Sequence, residues 1–336
     1  MKETHIYSCI NKWKLLSALL VIAIHTSPLE SVSPEGDFIL TRILARTAVP
    51  FFFMVTGYFV LPKALEEGRR ALLYLKRIGM IYLASVILYI PVGIYAEHFK
   101  DAGIASVLKM LLLDGTFYHL WYLPALLLGF ALTLLFLRSM PLPAAGALTG
   151  ILYLAGLFGD SYYGFLPDPS LAHTCYEGIF RVFEYTRNGL FYAPAFLLLG
   201  WVLASRRRPA LSLSLAGLGI SYALILAEGI TLHLLEVQRH DSMYLSLVPL
   251  MYFLFSVLLD IEPPDLTEHF PKALPLLIYL LHPLFIVLVR AGAKITGLLF
   301  FIDNSLLHFL AVTLSTFMFS WFLLVLKEKF AERKKK

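Results

Sequence analysis

Apolar runs of about twenty residues recur along almost the whole chain, and they constrain its fold more than any other feature. A helix needs about 20 mostly apolar residues to cross a bilayer at a rise of 1.5 Å per residue. On that rule we predict ten transmembrane helices, N-in/C-in. They lie near residues 10-28, 38-61, 78-96, 119-138, 144-160, 189-204, 210-229, 243-259, 273-290 and 305-326.

The composition supports lipid as the main solvent. Apolar residues make up 59% of the chain and charged residues 15%, and the mean hydropathy is +0.75. Soluble domains are about half apolar and about a quarter charged. We therefore expect an all-α integral membrane protein with one transmembrane domain over residues 1-336, ending in a basic cytoplasmic tail at 327-336.

The distribution of basic residues predicts the orientation. With the N-terminus in the cytoplasm, 19 of the 28 lysines and arginines fall in cytoplasmic segments and seven in outer segments, while Arg42 and Arg46 lie within the second span. The positive-inside rule then favours both termini in the cytoplasm of a bacterial inner membrane. The net charge of +5 therefore indicates contact with anionic lipid and not with nucleic acid.

Ionisable side chains within spans are the candidate site residues, because burying them in lipid is costly. Lys14 and His25 are eleven residues apart on the first span. This spacing leaves them only about 20° out of phase and about 16 Å apart along the helix. They would face one polar cavity; alternatively, Lys14 snorkels to the headgroups and His25 only caps the helix.

Arg46 lies within the second span, in the block R-T-A-V-P-F-F-F-M-V-T-G-Y. Pro50 removes a helical hydrogen bond there, and Gly57 allows a neighbouring helix to approach closely. We expect Arg46 to need an anionic partner, a ligand or a water-filled cavity.

Two more histidines are candidates. His119 begins the motif H-L-W-Y-L and His282 lies in Y-L-L-H-P-L, directly before Pro283. Alternatively, His119 is one of several interfacial aromatic residues and His282 is a hydrogen-bonded structural group.

Arg187-Asn188 and the Arg239-His240-Asp241-Ser242 cluster are expected to be solvated charges at outer helix ends. The sequence contains no nucleophile elbow, Walker loop, zinc-spaced histidine pair or dinucleotide fingerprint. We expect no metal and no tightly bound cofactor.

These motifs together resemble the acyltransferase-3 family of integral membrane proteins over nearly the whole chain. They include V-I-A-I-H ending at His25, the block from Arg46, the Y-L-K-R-I junction, and the motifs around His119 and His282. The stretches A-I-H-T-S-P-L, P-E-G-D-F-I-L-T-R and R-H-D-S-M-Y resemble the membrane domain of the vancomycin-resistance serine racemases, which continue into a soluble pyridoxal-phosphate domain. We expect this chain to be a stand-alone relative, or a membrane half whose racemase domain is fused or separate.

The family resemblance implies an acyl donor, usually acetyl-CoA, entering from the cytoplasm, and a small-molecule acceptor on the outer side. It also implies that His25 is the catalytic residue. In the family, an arginine precedes the histidine with ten residues between the two. Lys14 occupies that position here. Lysine keeps the positive charge but lacks the bidentate hydrogen bonding of a guanidinium group. Lys14, Lys76 and Arg77 would hold the CoA phosphates, and Arg46 would polarise the thioester.

The resemblance to the racemases implies a different function, uptake of L-serine. In that case Arg46 would bind the amino-acid carboxylate and an outer acid such as Asp241 the ammonium group. The sequence shows no inverted repeat of the kind many secondary transporters carry. A purely structural membrane anchor is a third alternative, which the buried Arg46 and His282 disfavour.

Overall fold

The computed structural model describes residues 2–100, 103–261 and 270–333, and for residues 2–8 only the backbone. It is all-helical in these ranges. Ten helices correspond to the predicted spans: α1 (Lys2–Thr26), α3 (Ala48–Phe59), α5 (Gly68–Tyr95), α7 (Tyr122–Ser139), α8 (Leu142–Phe158), α10 (Ala193–Ser205), α11 (Leu211–Leu234), α12 (Leu247–Asp260), α13 (Leu274–Thr296) and α15 (Ser305–Arg333). Five short helices connect them: α2 (Pro34–Asp37), α4 (Leu61–Glu66), α6 (Ile104–Lys109), α9 (Leu171–Val182) and α14 (Phe300–Asp303).

The helix lengths agree with the predicted number of spans. Among the described residues, seven helical stretches are long and apolar enough to cross a membrane, and α8, α10 and α12 are shorter apolar helices. The prediction of an all-α protein with about ten spans is confirmed. The orientation stays a prediction.

The third span begins earlier than predicted. Helix α5 starts at Gly68 and not near residue 78, so Lys76 and Arg77 lie on the helix itself, where both are exposed. Lysine and arginine are good helix formers, and their long stems let a helix continue beyond the apolar layer.

The second span is irregular before Pro50. A π-helical segment covers Phe38–Ile43, a 3-10 turn covers Leu44–Thr47, and regular α-helix resumes at Ala48. Pro50 has no N–H for the carbonyl of Arg46, four residues earlier, which accounts for part of this irregularity. Short π segments are frequent at functional sites.

The chain divides into two compact units. The first consists of Met1–Ala48 and Leu258–Lys336, and in it α1, α13 and α15 pack on one another. Its core is apolar and made of residues from all three helices: Ala18, Ile22, Leu274, Ile278, Ile286, Val312 and Leu324.

The second unit is Val49–Val257. Helices α3 and α10 meet in it through two glycines, since Gly57 lies against the backbone of Leu197 and Gly200 against the backbone of Met54. A Cβ atom at either glycine would collide with the facing carbonyl. The close approach predicted for Gly57 is therefore confirmed.

Candidate functional site

His25 lies in the last turn of α1, in the first unit. The helix ends at Thr26, because Ser27 takes a left-handed conformation with φ of 47° and Pro28 follows it. The Ser27 N–H donates to the carbonyl of Ala23 at 2.9 Å, which closes the helix by a left-handed cap. A non-glycine residue in this conformation costs about 1 kcal/mol. This strained cap sets the position of His25 at the helix C-terminus.

His282 lies within α13 and is completely buried. Its Nδ1 is 2.8 Å from the carbonyl oxygen of Tyr279 and 3.3 Å from that of Ile278. Because a carbonyl can only accept, Nδ1 carries the ring proton, and the neutral ring has its lone pair on Nε2. Pro283 lacks the N–H that would otherwise donate to Tyr279, so His282 Nδ1 takes that position. The His-Pro pair thus orients the imidazole and selects its tautomer.

The rings of His25 and His282 stack, with centroids 5.4 Å apart and an interplanar angle of 21°. His25 is half-buried, whereas His282 is not exposed at all. Two imidazolium ions at this distance in a partly buried site would repel strongly. A positive charge on one ring therefore disfavours a second charge on the other, and His25 is the accessible member of the pair.

The segment that follows His25 is held in place by polar contacts. The buried Asp37 accepts hydrogen bonds from the Leu29 N–H at 2.9 Å and from the Thr41 hydroxyl at 3.3 Å. The Ser305 hydroxyl donates to the carbonyl of Pro28 at 2.9 Å. Asp37 and Ser305 were not predicted as site residues, although Asp37 lies within the P-E-G-D block quoted above.

Arg46 is on the 3-10 turn that packs against α1. It is only 8% exposed, which confirms that it is a buried cation. The nature of its partner stays a prediction.

Lys14 lies about three turns from His25 on α1 and is half-buried. Its Nζ donates to Asn11 Oδ1 at 3.3 Å, and Lys272 is close enough to repel it electrostatically. Asn11, Leu15 and Lys272 line a small cleft there. Lys272 is a second cation at this end that sequence reasoning did not select. That Lys14 and His25 share one cavity stays a prediction.

The remaining candidates belong to the second unit. Lys76 and Arg77 are exposed on α5. His119 is buried, and its ring lies 4.8 Å from that of Tyr89 and 5.8 Å from that of Phe117. The structure thus brings together His25 and His282, and it assigns Lys76, Arg77 and His119 to the other unit.

The second unit also contains a buried polar cluster that sequence reasoning missed. Asp160 is fully buried, and its Oδ1 accepts from the backbone N–H groups of Ser242 and Met243 at 2.7 and 2.9 Å. Arg187 donates to the Ser242 hydroxyl at 2.7 Å and lies over the ring of Tyr185. The expectation that Arg187 and Ser242 are simply solvated is therefore wrong.

The histidine pair is suited to proton transfer. A neutral imidazole can accept a proton, and the partial negative charge at the C-terminus of α1 would stabilise the cation that forms on His25. Among the described residues, no group of three or more His, Cys, Asp or Glu side chains could hold a metal ion.

Comparison with known proteins agrees with these features. The profile of an acyltransferase domain matches residues 7–325. The chain belongs to the acyltransferase-3 family. The family and the apolar helices together make this a multi-pass membrane protein. No solved structure matches it significantly.

Several curated relatives of this chain are named as racemases. An amino-acid racemase of Enterococcus faecalis is 40% identical over 336 aligned residues, which cover 97% of this chain and 47% of the relative. A serine/alanine racemase of Enterococcus gallinarum is 34% identical over 315 residues, covering 91% of this chain and 44% of the relative. The chain thus spans less than half the length of these relatives, and the rest of each lies outside the matched region.

Proposed function

We propose that the protein transfers an acyl group from cytoplasmic acyl-CoA, in the simplest case acetyl-CoA, to a hydroxyl or amine acceptor at or across the bacterial inner membrane. The stacked pair of His25 and His282 carries the proposal. It combines an accessible imidazole at a helix end with a buried one whose tautomer is selected by the backbone.

In this mechanism His25 acts as general base. It takes the proton of the acceptor O–H or N–H while the acceptor oxygen or nitrogen bonds to the thioester carbonyl carbon. The C–S bond then breaks, and the imidazolium returns the proton to the departing CoA sulfur. Alternatively, His25 carries the acyl group transiently before the acceptor attacks. His282 keeps the adjacent ring in place and stays neutral.

Positively charged residues would contact the thioester and the phosphates of the acyl-CoA donor. Buried Arg46 would stabilise the negative charge that develops on the thioester oxygen. Lys14, Lys76 and Arg77 would bind CoA phosphates, since each is positively charged and the predicted topology puts all three near the cytoplasmic face.

The test is transfer in proteoliposomes. Purified protein is reconstituted, radiolabelled acetyl-CoA is added, and both CoA thiol release and labelled product are measured in the presence of candidate hydroxyl and amine acceptors. The proposal expects protein-dependent thiol release that rises with acceptor concentration. Protein that neither binds acetyl-CoA nor releases thiol would overturn it.

A second function is favoured by one observation, the names of the relatives. An amino-acid racemase and a serine/alanine racemase match this chain along only part of their length. The chain would then supply L-serine to a fused or separate racemase domain, with Arg46 binding the amino-acid carboxylate. Uptake of radiolabelled L-serine into the same proteoliposomes, without thiol release from acetyl-CoA, would favour this function over acyl transfer.

A further inference from the structure

A long apolar groove lies in the second unit, between helices that no proposed step uses. Its volume is about 800 Å³, within the range of about 300 to 1,000 Å³ found for ligand sites. Its walls come from α8, α10, α11, the start of α12 and the two residues Leu245 and Ser246 that precede α12.

The hydrogen-bonding groups of the polar residues in the wall are bonded to other groups of the protein. The Thr149 hydroxyl donates to the carbonyl of Ala145 at 2.6 Å, and the Tyr153 hydroxyl donates to the carbonyl of Tyr244 at 2.7 Å. The Ser246 N–H donates to Glu228 at 2.8 Å. Within the described part of the chain, no charged residue is among those that line the groove. A polar solute would therefore lose its hydration here with little compensation, whereas hydrocarbon would not.

The length of the groove fits an extended hydrocarbon chain. It follows α8 from Leu142 to Leu154, which is about 18 Å at 1.5 Å per residue. Hydrocarbon chains pack with carbon atoms about 4 Å apart, so a cavity of about 800 Å³ along this length admits lipid chains.

The groove is continuous with the bilayer-facing surface. Its rim includes the exposed apolar side chains Leu154, Leu224 and Leu245. On α8 it includes Gly146 and Gly150, where an added Cβ atom would meet nothing within 4 Å. These two glycines, one helical turn apart, keep the groove open.

We propose that this groove is a binding site for the hydrocarbon of one bilayer phospholipid. The lipid enters from the side and stays longer than the lipids that surround the other helices, because protein contacts it on several sides. This site is separate from the histidine pair and does not depend on the proposed function.

The test uses the two open glycines. Wild-type protein is reconstituted in vesicles of phosphatidylglycerol and phosphatidylethanolamine that contain a trace of phospholipid with a diazirine near the chain end. After illumination, labelled peptides are mapped by mass spectrometry. We expect labels to be enriched on α8 and α10 relative to the exposed face of α15. In the double variant Gly146→Leu/Gly150→Leu, the labelling of the groove should fall at least about tenfold. Excluding only two methylene groups of the lipid from the groove already weakens its binding by about that factor.

The matched control is Gly219→Leu on α11, where an added Cβ atom also meets nothing within 4 Å but the residue does not line the groove. Its labelling should equal that of wild type. Should the double variant fail to fold, the wild-type label distribution still decides. Even labelling of all exposed helices, or unchanged labelling in a folded double variant, would overturn the proposal. Displacement of the label by an added lipid-linked acceptor, but not by unlabelled phospholipid, would assign the groove to the acceptor and equally refute it.

Discussion

Replacing Pro283 by alanine tests how the fold selects the His282 tautomer. The alanine N–H would donate to the carbonyl of Tyr279, which now accepts from His282 Nδ1 at 2.8 Å. A hydrogen bond contributes about 1 kcal/mol net, so the preference for the present tautomer should fall about fivefold. Alanine is favoured over proline within a helix by about 3 kcal/mol. Activity and helix stability should therefore change in opposite directions.

The assays follow from those two effects. Nitrogen NMR of histidine-labelled protein reports the tautomer, the rate of thiol release from acetyl-CoA reports activity, and thermal unfolding in detergent reports stability. We expect Pro283→Ala to mix the two His282 tautomers, to lower the rate by at most about fivefold and to leave the unfolding midpoint unchanged or higher.

Pro275→Ala is the control in the same helix. Pro275 lies in the first turn of α13. An N–H group added there faces no carbonyl of the same helix, so it displaces no existing hydrogen-bond donor. It should leave the His282 spectrum and the rate as in wild type. An unaltered His282 spectrum in Pro283→Ala would refute the tautomer argument, whatever the rate.

Three further predictions concern buried charge. Arg46→Leu should lower the transfer rate at least about a hundredfold, and Arg46→Lys by less, because the guanidinium is the buried cation expected at the thioester; a wild-type rate in Arg46→Leu would contradict this. Asp160→Ala removes the acceptor of two buried backbone N–H groups. It should lower the free energy of unfolding by about 2 to 4 kcal/mol, which is measured as a lower unfolding midpoint. The control Asp168→Ala, at a side chain that is 72% exposed, should leave the midpoint unchanged. Burial raises the pKa of Asp114 from 3.8, although a hydrogen bond from the Glu184 N–H opposes the shift. The folded state thus favours the protonated acid, so this contribution to stability is present below the ordinary pKa and is lost as pH rises through the raised pKa of the folded state. Asp114→Asn should flatten that part of the pH profile of the unfolding midpoint. An unchanged slope in this variant would contradict the prediction.

The sequence was sufficient for features that depend on local pattern. Spans, helix type and the burial of Arg46 follow from apolar length and from the cost of charge in lipid. The His-Pro pair at His282 was visible too, because the effect of proline on the carbonyl four residues earlier is local.

Features that depend on distant segments could not be predicted. The stacking of His25 on His282 requires α1 and α13 to pack together, and no pattern in either helix specifies the other. Asp160 looks like a solvated acid at a helix end, and only the fold shows that it accepts hydrogen bonds from the distant residues Ser242 and Met243. The π segment in the second span is likewise a compromise between Pro50 and tertiary packing.

The central claim is that His25 carries acyl transfer, and a single-turnover measurement with His25→Gln tests it most directly. Enzyme in excess over radiolabelled acetyl-CoA is mixed with acceptor, and thiol release is followed alongside CoA retained by the protein. Glutamine keeps part of the hydrogen bonding but cannot act as a base. We predict a loss of at least about a hundredfold in rate with acetyl-CoA binding preserved, while His233→Gln at an exposed residue of α11 behaves as wild type. Equal rates for wild type and His25→Gln would contradict the account.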